Sequence, residues 1–273
     1  MMSQIIVGVD FSNSSLTALR LAIDVANRTG ANVLIAWVKT KDINVEDAQE
    51  ALQHIVEENE KKLNGKKLSY EILEGRVYQA FTSLAKRDNP DLIVIGAHGD
   101  GGYDDKYAGQ NTYKIAAEIN YPVLTVRETF NFDKHLERII LPIDSSRDTR
   151  QKVPWTIEFA KMFPLSTICV LGVQTTNVKT VRDEVVGYVR SVESFLKEHN
   201  MKYTTSYVDA DNVTTATLDY AKSIDADLIV IMTEQEKTIS NFFFLGPYAQ
   251  QMLNLSPFPV LTVPPTQLHG AAR

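Results

Sequence analysis

The chain has 273 residues, 44% of them hydrophobic and 23% charged, with a formal net charge of −6. Its length suits two domains of about 130 residues, and neither half is basic: 14 basic residues stand against 18 acidic up to Asn131, and 14 against 16 after it. That balance excludes a clustered Lys/Arg grip on nucleic-acid phosphates. The start, MMSQIIVGVD, lacks the parts of a signal peptide, and no apolar run reaches the about 18–20 residues of a membrane span, so a cytoplasmic chain without membrane attachment is expected.

In chain order, the first half holds five strand candidates: Ile5–Val9, Val33–Val38, Leu68–Leu73, Leu92–Gly96 and Pro122–Val126. Four are short runs of Val, Ile and Leu, the composition of parallel strands buried on both faces; Leu68–Leu73 is more polar and suits an edge. Helical patterns separate them. Ser14–Thr29 stops at Gly30, Glu46–Leu63 lines up Ala48, Leu52, Ile55, Val56 and Leu63, Val77–Arg87 precedes the breaker Asn89-Pro90, and Asn111–Ile119 precedes Pro122. The alternation predicts a three-layer α/β domain with a parallel, doubly wound sheet of five strands and helices on both faces.

The second half repeats the first. IIVGVD at 5–10 returns as IILPID at 139–144, DLIVIGAHG at 91–99 as DLIVIMTEQ at 227–235, and YPVLTV at 121–126 as FPVLTV at 258–263, offsets of 134, 136 and 137 residues. So small a drift marks duplication of a whole domain. Strands are expected at Arg138–Ile143, Thr167–Val173, Tyr203–Val208, Leu228–Met232 and Val260–Val263, with a long helix carrying Val181, Val185, Val189, Val192 and Leu196. The domains are 1–130 and 136–273, joined by the short polar stretch Glu128–Leu136, which suits side-by-side domains better than a flexible tether. The single cysteine, Cys169, falls in an apolar run and is expected to be buried and inert, with no disulfide or cysteine zinc site.

In a doubly wound sheet, ligands bind beyond the carboxyl ends of the strands where the strand order reverses. Here that point falls between the first and fourth strands, with Asp10 on one lip and Gly96-Ala97-His98-Gly99 on the other. Glycines let backbone N–H groups turn toward an anion, and the helix beginning near Asn111 adds a dipole that favours phosphate; a plain strand-to-helix loop is the other reading.

VGVDFSNSS, the Gly75-Arg76-Val77 turn, DLIVIGAHG, the Gly96, Gly99 and Gly109 spacing and the closing PVLTV together resemble the universal stress protein family, over essentially the whole chain as two tandem copies. The resemblance implies an adenine nucleotide alpha hydrolase-like fold and a role in stress adaptation, often without demonstrated catalysis; some members bind ATP and others do not. By position it would set Asp10 near ribose and phosphates and the Val38 backbone against adenine. Gly96, His98, Gly99, Gly109, Gln110 and Asn111 would form the phosphate cradle. It also implies pairing of the last strand between subunits, so PVLTV and its copy could pair within one chain as a pseudo-dimer, with further homodimerisation open.

Two departures bear on the ligand. Gln110 stands where the family's ATP binders place Ser or Thr, and the loop before it carries Asp100, Asp104 and Asp105 against one Lys106. Carboxylates repel a triphosphate unless a divalent ion such as Mg or Mn bridges them. No dedicated metal site and no catalytic residue is expected, because no Ser or Cys nucleophile pattern accompanies His98.

In the second copy Met232-Thr233-Glu234-Gln235 replaces Gly96-Ala97-His98-Gly99, Gly246 is followed by Pro247, and Asp144 persists without partners. No nucleotide is expected there. Instead Phe242-Phe243-Phe244-Leu245, with Tyr248 beyond, forms a loop that plugs the vacated cleft, packs between domains, or presents a surface for an apolar ligand or a protein partner. Three functions compete: a non-catalytic stress-response protein binding ATP, AMP or a related adenine nucleotide in the first domain only; a pure interaction or apolar-ligand module; and, least supported, an enzyme acting on nucleotides, since neither a P-loop nor a nucleotidyltransferase signature is visible.

Overall fold

A computed structural model describes residues 2–39, 41–64, 66–97, 110–133, 136–146, 148–233, 235–237, 243–245 and 247–265. The chain divides into two compact units, Met1–Asn131 with Leu253–Pro259, and Phe132–Met252 with Val260–Arg273.

In the first unit β1 (Gln4–Gly8), β2 (Asn32–Val38), β3 (Leu68–Leu73), β4 (Leu92–Gly96) and β5 (Val123–Val126) form a parallel array in the order β3-β2-β1-β4-β5. Ile5 lies opposite both Val33 and Leu92, so the order reverses between β1 and β4, as the strand pattern predicts. Ile5, Ile6, Val7, Leu92, Ile93 and Val94 are completely buried, because parallel strands are covered on both faces; half-buried β3 is the edge.

Two helices cover each face. Ile6, Ala36, Ile93 and Ile95 pack with Phe81 and Leu84 of α3 (Val77–Asp88) and Ile115 of α4 (Gln110–Glu118). On the other face, β4 meets the start of α1 (Asn13–Thr29), and α2 (Val45–Glu60) packs on β3. Local chemistry sets the ends. Ser12 and Asn44 cap α1 and α2 through side-chain oxygens, and Asn89 closes α3 in the left-handed conformation just before Pro90. The pattern predicts α2 to run to Leu63, but it ends at Glu60. Asn27 of α1 donates to the Lys62 carbonyl and accepts from the Asn64 amide, drawing that stretch out of the helix.

The second unit repeats the plan with β6 (Arg138–Ile143), β7 (Thr167–Gln174), β8 (Tyr203–Asp209), β9 (Leu228–Met232) and β12 (Val260–Val263), parallel in the order β12-β9-β6-β7-β8. Its helices are α5 (Val153–Lys161), α6 (Lys179–Glu198), α7 (Val213–Ser223) and α8 (Pro247–Leu255). Val185, Val189, Val192 and Leu196 bury one face of α6 as the spacing predicts; Val181 is only partly covered. Cys169 is buried, and loss of solvation pushes its thiol pKa up, away from reactivity.

A second element departs from the sequence reading. The stretch read as a phenylalanine loop is in part a strand: β11 (Phe243–Leu245) pairs antiparallel with β10 (Gln235–Lys237), Glu236 opposite Phe244. Consecutive aromatic residues favour extended backbone once a partner strand is within reach. Phe242 lies outside the described residues.

Candidate functional site

The first unit presents an acid at the strand-order reversal, and the turn after β1 fixes its direction. Asp10 Oδ1 accepts from the Ser12 amide at 3.1 Å and from the Ser12 hydroxyl at 2.6 Å, while the Asp10 amide donates to Ser15 Oγ at 3.2 Å. Ser12 also accepts from the Ser15 amide as the cap of α1, so one hydroxyl orients the acid and starts the helix. Between them Phe11 adopts φ of 67°, a left-handed conformation that costs a non-glycine residue energy. Its ring centroid lies 6.1 Å from that of buried Trp37 on β2, a contact that holds the strained turn. No ion pair engages Asp10 among the described residues.

The opposite lip is the end of β4. A methyl carbon at Gly96 would come within 2.5 Å of Ser14 Oγ and 2.8 Å of the Ser14 carbonyl carbon, so glycine is required here for α1 to close on the sheet. Thr112, in the first turn of α4, donates to the Gly96 carbonyl at 2.9 Å and anchors the start of that helix beside the end of β4. The amino ends of α1 and α4 and the carboxyl ends of β1 and β4 thus converge on Asp10 and Gly96. Val38 ends β2, one strand away from β1; its side chain packs in the cluster around Phe81, which turns it away from solvent. Gln110 opens α4 and Asn111 beside it is exposed. His98, Gly99 and Gly109, with the acidic positions Asp100, Asp104 and Asp105, lie outside the described residues.

The second unit keeps the acid and changes its surroundings. Asp144 Oδ1 accepts from the Ser146 amide at 3.1 Å and from the Ser146 hydroxyl at 2.6 Å, and the Asp144 amide donates to Thr149 Oγ1 at 3.3 Å, a repeat of the bonds around Asp10. The expectation that Asp144 stands without partners is therefore corrected: the Asp-x-Ser turn was duplicated with its strand, and it supplies its own donors. What differs lies around it. Met232, buried, occupies the place of Gly96, and Pro247, with no amide N–H, opens α8. Residues 148–152 form turns and α5 starts only at Val153, whereas α1 starts at Asn13.

Three site features escape motif reading: the Phe11–Trp37 contact, the steric origin of Gly96, and Lys152. The last is 3% exposed, with Nζ donating to the Thr149 carbonyl at 2.6 Å and to the Thr149 hydroxyl at 3.2 Å. Desolvation pushes its pKa down to about 8 against the opposing pull of Asp144. A signal existed in the alignment of the copies, since Lys152 falls where the first has Ala18. The aromatic ring is also relocated: Gly172 stands on β7 where β2 has Trp37, and a methyl carbon there would lie 2.6 Å from the ring of Tyr207 on β8.

Two consecutive doubly wound units, each with an Asp-x-Ser turn at the end of its first strand, define a tandem α/β protein of the adenine nucleotide alpha hydrolase-like class. A profile of the universal stress protein family matches residues 1–127 and again 135–264, and the chain belongs to that family. A universal stress protein of Methanocaldococcus jannaschii is 26% identical over 141 residues, 46% of this chain and 82% of that protein. Among solved structures, a universal stress protein from Archaeoglobus fulgidus superimposes with a TM-score of 0.75 at 16% identity, covering 96% of this chain and 98% of that one. A putative universal stress protein from Pseudomonas aeruginosa gives 0.72 at 15% identity, covering 97% and 94%, so these two likenesses bear on the fold.

Proposed function

We propose that the chain is a non-catalytic stress-response protein that binds an adenine nucleotide, ATP or AMP, in its first unit alone, through Asp10, the Val38 backbone, Gly96, His98, Gly99, Gly109, Gln110 and Asn111. The observation that carries this reading is the Asp10 carboxylate, fixed by Ser12 at the strand-order reversal, with α4 anchored at the end of the neighbouring strand β4. An acid with no ion-pair partner among the described residues suits ribose hydroxyls, or a Mg or Mn ion bridging to phosphate. In the second unit a methionine in place of the glycine and a proline at the helix start disfavour a bound phosphate chain, and the Lys152 amine competes with a bridging metal ion for Asp144. Among the described residues Asp10 is tied to a capping serine and to no histidine–nucleophile pair, which supports binding without turnover.

The test is a thermal-shift titration with ATP, ADP and AMP, with and without Mg or Mn. Nucleotide at 100 times its dissociation constant stabilises the bound unit by about 2.7 kcal/mol, and Asp10→Asn is expected to lose most of the shift. No shift of the unaltered chain at millimolar nucleotide removes the proposal.

The β10–β11 hairpin favours a second role for the second unit. A two-stranded ribbon is marginal on its own in water, and this one replaces a glycine loop with Phe243-Phe244-Leu245, which suits an apolar ligand or a protein partner.

A further inference from the structure

The second copy places a charge where the first has a methyl group. Ala18, wholly buried in α1, stands three residues beyond Ser15; Lys152, three beyond Thr149, is the only lysine that is buried among the described residues. Two features of its surroundings oppose a proton on that amine. Burial strips an ammonium of water, and the position is the amino end of the nine-residue helix α5, where free N–H groups and the dipole disfavour a cation.

Against them stand the two acceptors of Thr149 and the charge of Asp144 at the end of β6. Among the described residues, the other charges nearby are engaged elsewhere. In the same turn Asp148 accepts from the Gln151 side chain and Arg150 stacks 4.4 Å over the Tyr188 ring of α6; on α6 Glu193 accepts from Thr205. Strand β7, which also packs on α5, brings no charged side chain beyond the Cys169 thiol near its amino end, beside Arg138 and Asp227. The backbone around the amine is held by local bonds: the Thr149, Gln151 and Val153 amides each donate to the carbonyl three residues back, at Ser146, Asp148 and Arg150, and Lys152 gives α5 no side-chain cap.

We propose that this segment is a proton-linked hinge: a proton on Lys152 weakens the closed turn 148–152 and favours an opening that carries the ammonium into water, and its loss favours closure over the neutral amine. The folded pKa of about 8 lies below the ordinary 10.5, so the open form binds more protons between those values. Closure is therefore favoured as pH rises through that window, and the equilibrium is flat below and above it.

Hydrogen exchange of the 148–152 peptide between pH 6 and 11, corrected for intrinsic rates, reads the opening directly. In the unaltered chain the opening constant is expected to be flat below pH 8 and to fall about tenfold per pH unit from there to 10.5; in Lys152→Met it is expected to be flat throughout. A flat profile in the unaltered chain, or the same slope in both, overturns the hinge. Because the variant could fail to fold, the unaltered chain with ¹³C-labelled lysine gives an independent reading: one Cε resonance should titrate near pH 8, and all of them titrating near 10.5 overturns the proposal.

Discussion

At the scale of single residues, the two copies diverge through a few substitutions that act by volume and charge. Gly96 lets the first turn of α1 lie against β4; Met232 in its place requires room, and the corresponding helix begins later, at Val153. Gly96→Ala forces a carbon into Ser14, whose backbone, not only its hydroxyl, is in the way. It is expected to destabilise the first unit by about 1–3 kcal/mol, the usual range for an overpacked core, read as a lower denaturant midpoint with an unchanged slope. An unaltered midpoint would mean that α1 moves aside without cost and that the glycine is kept for a ligand alone. Ala18 and Lys152 make the same point in charge: matching Asp-x-Ser turns, one followed by a buried methyl group and one by a buried amine that Asp144 draws toward its charged form.

At the scale of elements, the site is assembled from helix starts and strand ends. Ser12 caps α1 while holding Asp10, and Thr112 ties α4 to the end of β4. In the second unit the counterpart of the glycine loop contains the β10–β11 hairpin. If that hairpin serves a partner, Phe243→Ser with Phe244→Ser should leave the unit's melting temperature within a degree or two and abolish co-purification of the partner; loss of solubility with unchanged partners would assign the segment to core packing instead. Much of this level was legible in advance. Buried Val/Ile/Leu runs marked the strands, breakers such as Asn89-Pro90 marked helix ends, and the repeated IIVGVD and DLIVI blocks marked two units, with Asp10 and Gly96 at the switch point of the first. The rest depended on contacts distant in sequence: the Asn27 bonds that shorten α2, the partner strand that extends Phe243–Leu245, and the fold of the 148–152 turn that buries an amine sequence alone would place in water.

At the scale of the whole molecule, the duplication yields two units with one plan and unequal sites. The first holds an oriented acid, a close-packed glycine and an anchored helix start; the second holds the same acid with its charge answered from within and its glycine filled. The account predicts one adenine nucleotide per chain. Hydrogen exchange with and without millimolar ATP and Mg, followed peptide by peptide across both units, tests this most directly. Added protection should appear in the segments around residues 8–15, 36–39 and 96–112 and leave the corresponding segments around 142–152, 171–174 and 232–247 unchanged; equal protection of both sets, or of the second alone, would contradict the assignment of binding to the first unit.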